Sequence, residues 1–279
     1  MRALKISRII MFDLFQYSFF TNALIGVIII SVAAAFIGTY IMTRRLVSIS
    51  GGITHACFGG LGLGYFLGVN PILMASVFAI GASASVEWLS ERYRVREDSA
   101  TAVVWALGMS IGVLFIFLTP GYVPELNAFL FGNILTISGA DLWAFAIYTI
   151  ILILFFTFCY NRIIACAFDR DFARVSKMPV RLISYIMTAM VAVCIVLTIR
   201  LVGIMLLMSI LTLPQMIAEM FAPRFKMMVM WSMIISIVCG VVGLFVSALI
   251  NVPCAAIIVI LLAVTFVIAR IVVDILHRR

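Results

Sequence analysis

Nine stretches of about twenty mostly apolar residues, 17–42, 46–69, 72–89, 100–119, 142–160, 182–199, 202–220, 227–250 and 255–273, succeed one another through this 279-residue chain. A helix rises about 1.5 Å per residue and the hydrocarbon core of a bilayer is about 30 Å thick, so each stretch has the length that one crossing needs. A water-soluble fold could not bury them all: 66% of the residues are hydrophobic and 11% charged, against roughly a quarter charged in soluble domains. The expected fold is all-α, one polytopic transmembrane helical bundle of eight to nine spans that occupies 1–279 and is joined by short loops. No catalytic domain of ordinary size fits outside the lipid.

The few charges are placed as topology signals. The loop over 120–140 holds no Lys or Arg and carries Glu125, whereas the loop over 161–181 carries Arg162, Arg170, Arg174, Lys177 and Arg181. Basic residues gather on the cytoplasmic side, so the second loop is expected inside and the first outside. Alternation from there puts Arg44 and Arg45, the group Arg92, Arg94 and Arg96, the pair Arg224 and Lys226, and the terminal Arg278 and Arg279 inside. Arg2, Lys5 and Arg8 fall outside if the first stretch crosses once; an interfacial N-terminal helix, or a first region that does not cross once, is the alternative. That terminus mimics a secretory signal, but its apolar stretch runs on to Met42 and is expected to stay uncleaved. The net charge of +8 comes from these scattered loop residues and forms no stripe for nucleic acid. Six cysteines, mostly within apolar stretches, include no C-x-x-C pair and give neither a disulfide framework nor a zinc site. The segment 127–135 is apolar but too short to span, and is expected to lie in the interface or to re-enter.

Chemistry concentrates in a glycine-rich stretch. Gly52, Ala56, Gly60, Gly64 and Gly68 recur at helical spacing as one stripe of small residues, where another backbone is expected to approach closely. His55 lies on a different strip, with Gly51 one turn before it and Gly59 one turn after. An imidazole in a membrane helix needs a cavity, a partner or a metal, so His55 reads either as a ligand on a metal-ion path or as an interhelical hydrogen bond. The glycines do not form a nucleotide loop, because no Lys-Ser or Lys-Thr follows them; energy from ATP would have to come from a separate subunit.

In the cytoplasmic loop, Asp169 and Asp171 come early and Arg174 and Lys177 late, as suits the dipole of a short helix, and Phe168, Phe172 and Val175 fall on one face. The segment reads as a solvated loop helix or as one that docks into a partner's groove. Further along, Pro214 is expected to kink its helix, with Gln215 and Glu219 on one face near the cytoplasmic end, lining a path or capping the headgroup boundary. Glu87, near its own boundary and near Arg92, reads as structural.

These pieces together resemble the permease subunits of the ABC-3 family, the bacterial zinc, manganese and iron ATP-binding-cassette importers, over nearly the whole chain. The anchor is Thr54-His55-Ala56 with Phe58-Gly59-Gly60, Gly64-Tyr65 and Asn70-Pro71. Gly108-Met109 with Gly112, 130–135, Phe168-Asp169 to Ala173, Val202-Gly203 to Leu213-Pro214, and Gly243-Leu244 with Ser247 and Pro253 follow in the family's order. The resemblance implies a type II importer-like permease in the bacterial inner membrane, working as a homodimer. It implies a cytoplasmic ATPase subunit that uses the ATP, an extracytoplasmic metal-binding protein, and a divalent ion as cargo with no permanently bound cofactor. It makes His55 the metal-facing histidine, and Phe168, Asp169, Asp171, Phe172 and Ala173 part of the helix that docks on the ATPase. Two positions depart from the family: Gly51 stands where many members carry an acidic residue, and Pro253-Cys254-Ala255-Ala256 lacks a glycine. A permease for a metal chelate is the near rival, although it would call for a longer chain. A stand-alone ion-coupled transporter is the far one, although no internal repeat or pair of buried carboxylates is visible.

Overall fold

The computed structural model describes residues 16–120, 137–222 and 224–277. Arg2, Lys5, Arg8, Glu125, the apolar segment 127–135, Arg278 and Arg279 lie outside the described residues. Helices make up the fold: α1 (Ser18–Thr43), α2 (Val47–Leu67), α3 (Pro71–Tyr93), α4 (Glu97–Leu118), α5 (Gly139–Phe168), α6 (Arg170–Val175), α7 (Val180–Ile210), α8 (Leu213–Phe221), α9 (Phe225–Ile250) and α10 (Cys254–His277). Local chemistry sets their ends. The Asn70 side chain accepts from Ile72 N (3.0 Å) and Leu73 N (3.3 Å) ahead of Pro71, so α3 begins where a proline costs no hydrogen bond. Ser138 and Asp141 form a reciprocal capping box at the start of α5. α2 ends at Gly68, whose positive φ of 66° closes the helix.

Among the described residues seven helical stretches are long and apolar enough to cross a membrane, fewer than the eight or nine expected. Two features account for the difference. α2 has the length, but its glycines lower its hydropathy. Val180–Phe221 counts as one 42-residue stretch where two spans were expected. Within it Gly203 leaves helical geometry (φ 80°, ψ 173°), a conformation open to glycine. The side chains on either side show where the chain goes. Arg200 pairs with Asp141 in the first turn of α5 (2.9 Å), while Glu219 shares a cavity with Phe168, the last residue of α5, and with Arg44 and Arg45. The chain therefore turns back at Gly203 and runs from the Asp141 end of α5 toward its Phe168 end.

Pro214 corrects the sequence reading. It stands in the first turn of α8, after the break at Leu211 and Thr212, and so starts a helix where a kink was expected. Gln215 and Glu219 do not share a path either. Gln215 is fully buried and donates to Ala34 O (2.9 Å) and Ile210 O (3.3 Å), supplying a donor to a carbonyl at the break, whereas Glu219 is exposed.

The helices form two groups. α2, α3 and α4 pack on one another, α1, α8, α9 and α10 pack on the other side, and α7 touches members of both. The core along this seam is made of side chains such as Tyr40, Ile53, Met187 and Ile195. Arg44, Arg170 and Arg181 stand at one end with Glu97, Glu87 and Glu91, and Arg200 stands at the other.

Candidate functional site

His55 lies midway along α2, half-buried, and its ring stacks on the Trp105 indole of α4 with centroids 4.8 Å apart and planes 10° apart. The Phe58 ring lies 6.2 Å away, tilted by 19°. The Nδ1 atom is buried and has no hydrogen-bond partner among the described residues. The interhelical hydrogen bond offered as the alternative role for His55 is not made through Nδ1. A buried nitrogen without a partner is costly.

The small residues bring α4 and α3 against this helix. The stripe is shared between two neighbouring helices. Gly52 and Ala56 meet α4 at Thr101 and Gly108, Gly60 and Gly64 meet α3 at Ala75 and Pro71, and Gly68 packs against nothing. A Cβ at Gly64 would sit 2.6 Å from Pro71 Cα, and one at Gly108 would sit 2.5 Å from Ala56 Cα. At Gly51, the position one turn before His55, the space is taken by Met208 of α7, whose Cε would lie 2.9 Å from a Cβ there. The strip that carries His55 therefore has a thioether beside it and no carboxylate. No group of three or more His, Cys, Asp or Glu that could hold a metal ion occurs among the described residues.

At the end of the molecule where Arg44 and Arg181 stand, α6 is a six-residue helix. Asp169 caps it by accepting from Asp171 N (3.0 Å) and Phe172 N (2.9 Å), and Asp171 pairs with Arg174 (3.2 Å) on its exposed side. Phe168, Phe172 and Val175 are all exposed, 60% or more, and Ala173 is buried as the contact with the body of the protein. Three large apolar side chains together at an exposed surface form the kind of patch that a partner covers.

Arg170, the first residue of α6, points the other way. Its guanidinium donates to Glu87 Oε1 of α3 (2.7 Å), Glu97 Oε1 of α4 (2.7 Å) and Ser184 Oγ of α7 (3.1 Å). Arg44, nearly buried at the end of α1, donates to the same Glu97 oxygen (2.7 Å) and to the Tyr40 hydroxyl (2.9 Å), and lies 3.9 Å from Glu87. Glu87 thus pairs with Arg170 and Arg44, where the sequence had suggested Arg92.

The ABC 3 transport family model matches residues 16–273. The chain belongs to this family. Among its relatives, a "probable metal transport system membrane protein" of Chlamydia pneumoniae is 34% identical over 229 residues, 80% of this chain and 78% of that one. The manganese transport system membrane protein MntC of Listeria innocua is 26% identical over 256 residues, 92% and 91% of the two chains. The solved structure of PsaBC from Streptococcus pneumoniae in complex with a Fab superposes with a TM-score of 0.80 at 25% identity, covering 93% of each chain. The chain is accordingly a multi-pass membrane protein with the fold of an ABC-3 permease.

Sequence reasoning missed Trp105, Arg44, Glu97 and Arg170 in this ABC-3 chain. One signal was present: Glu87 lies in an apolar stretch, and a carboxylate there needs a cationic partner. Which cation supplied it was not readable, because the partners lie 43 and 83 residues away in sequence.

Proposed function

We propose that this chain is the membrane-spanning permease of an ATP-binding-cassette importer that moves a divalent metal ion, zinc, manganese or iron, into the cytoplasm. In this reading the chain crosses the bacterial inner membrane nine times, with α2 and both limbs of the Gly203 reversal counted as crossings. The observation that carries the reading is the buried, unpartnered Nδ1 of His55 on a helix packed by glycines. A divalent ion cannot enter hydrocarbon without ligands in place of its water. One histidine is too few to hold it. Two copies related by a two-fold axis would present two imidazoles to one path, and the exposed faces of α4 and Trp105 are free to lie along it.

The chain itself carries no ATPase motif and acts as a transport subunit rather than an enzyme. The exposed patch of Phe168, Phe172 and Val175 on α6, with Asp171 and Arg174 beside it, is the surface offered to a cytoplasmic ATPase. A metal-binding protein outside would deliver the ion, and the relatives named for metal transport support that partnership.

The test is uptake by membrane vesicles that hold the chain with its ATPase and are supplied with its metal-binding protein. His55→Ala is expected to lower metal uptake more than tenfold while membrane insertion stays normal, and unchanged uptake would remove His55 from the path. Asp171→Arg with Phe172→Ala is expected to lose the ATPase on copurification. Asp169 is the poorer probe of docking, because its side chain also caps α6.

A further inference from the structure

The importer reading leaves Arg170 unused, although it belongs to α6 and faces the body of the protein. Its guanidinium bridges Glu87 and Glu97, the carboxylates that flank the turn between α3 and α4. Glu97 stands in the first turn of α4 and heads one stripe of that helix: Glu97, Thr101, Trp105, Gly108 and Gly112 recur every three or four residues. Each later member of the stripe meets α2 in turn. The Thr101 methyl fills the space at Gly52, Trp105 stacks on His55, Gly108 lies on Ala56, and Gly112 lies on the Phe58 and Gly59 backbone. Backbone packed on backbone leaves no side chain to yield, so α4 and α2 are built to shift together. A bidentate guanidinium between two carboxylates is a stiff joint, and a point charge would not hold it in the same way.

We infer that Arg170 is the positioning residue that ties α6 to α4, so that a displacement of α6 by the ATPase is carried along α4 and delivered by Trp105 to the imidazole of His55. The inference rests on the importer reading. It adds to that reading a residue that touches neither the ion nor the ATPase, and yet sets how much transport each ATP yields. Arg44 serves the joint from the other side. Bonded to Glu97 and Tyr40, it keeps one cation among the carboxylates and anchors α4 to the end of α1.

The test uses the permease together with its ATPase and its metal-binding protein in proteoliposomes, with Zn²⁺ and Mn²⁺ as probes and with ATP hydrolysis and ion uptake measured side by side. Arg170→Gln is expected to leave the ATPase bound and its hydrolysis within twofold of wild type, while uptake falls tenfold or more. Ions moved per ATP would fall accordingly. Arg170→Lys, which keeps the charge and loses the fork, is expected between the two, and it decides the matter if the glutamine variant does not fold. Glu97→Gln combined with Arg170→Gln is expected to be no worse than Arg170→Gln alone, since both break one joint. Trp105→Ala is expected to lower the same ratio with the complex intact. An unchanged ratio in the Arg170 variants or in Trp105→Ala would overturn the inference. So would loss of the ATPase from Arg170→Gln, which would make Arg170 a docking residue. Wild-type vesicles that show no ATP-driven uptake would instead sink the importer reading, and that result is distinct from a wild type that transports and an Arg170 variant that remains coupled.

Discussion

α2 and α10 are helices of similar length that relate to the bilayer in opposite ways. α10 is strongly apolar and buries only a narrow face, Cys254, Ile258, Leu262 and Ala269, while Ile260, Val264, Ile268, Ile271 and Ile275 point outward. α2 falls short of the hydropathy of a membrane span, yet almost all of it is buried. High apolarity alone does not decide which way a helix faces, since α1 is strongly apolar and mostly buried; in α2 it is glycine and other small residues that allow nearly complete burial. The reason is that lipid is as apolar as leucine, so nothing drives leucine-rich helices together in a bilayer, whereas small residues let backbones touch and gain dispersion contacts. A helix enclosed by other helices can also afford polar groups that one facing lipid cannot.

The contrast should break most visibly where α2 and α4 touch backbone to backbone. A Cβ at Gly112 would lie 2.6 Å from the Phe58 carbonyl carbon and 3.0 Å from Gly59 N, with no flexible end to move aside. Gly112→Leu is expected to destabilise the protein by about 3 kcal/mol or more, at the upper end of overpacking costs. Thermal unfolding of the detergent-solubilised protein would show a large fall in Tm or loss of the folded peak. A change under about 1 kcal/mol, within ordinary substitution noise, would mean that the two helices can separate freely, and the rigid contact argued for α4 would fail with it.

A smaller effect, on selectivity rather than stability, is expected at Gly51. There the neighbour is the far end of a methionine, so the site can be remodelled. Gly51→Asp with Met208→Ala exchanges a soft thioether for a hard carboxylate one turn from His55. Hard oxygen ligands favour manganese over softer ions. The double variant is therefore expected to raise manganese uptake relative to zinc several-fold, measured by competition between the two ions in vesicles. A ratio that stays at the wild-type value would show that the ion does not pass along the strip shared by Gly51 and His55.

Much of this fold was legible in the sequence because its causes are local. The apolar runs fix the helices, the Lys and Arg positions fix the sides, and Asn70-Pro71 and Ser138 with Asp141 write their caps in adjacent residues. His55 stood out for the same reason, as the histidine in an otherwise apolar and glycine-rich run. The charge joint was not legible. Its partners are separated by 53 residues between Arg44 and Glu97 and by 83 between Glu87 and Arg170, and nothing in either neighbourhood records the other. The boundary between the spans 182–199 and 202–220 falls at the Gly203 break, but the kink expected at Pro214 is not there. Proline signals a kink only in a helix interior, and Pro214 occupies a first turn, while Gly203 makes the turn with a φ of 80°.

The smallest effects belong to α10, and they test whether outward-facing apolar residues do anything beyond solvating the helix in lipid. Ile258 and Ile260 are two residues apart. Ile258 is 1% exposed with its Cγ1 against Gly243 of α9, and Ile260 is 57% exposed. In water both would lose transfer free energy on truncation, but in a bilayer the alternative environment is also apolar, so only lost packing counts. Ile258→Ala is therefore expected to cost about 1–2 kcal/mol, less than the 2–5 kcal/mol typical of a soluble core. Ile260→Ala is expected to stay within about 0.5 kcal/mol of wild type, as substitutions outside packed sites usually do. Denaturation of both variants in the same detergent gives the difference directly. If Ile260→Ala costs as much as Ile258→Ala, the outer face of α10 is packed against protein in the assembled transporter, and the division between outward-facing and interior helices moves to include it.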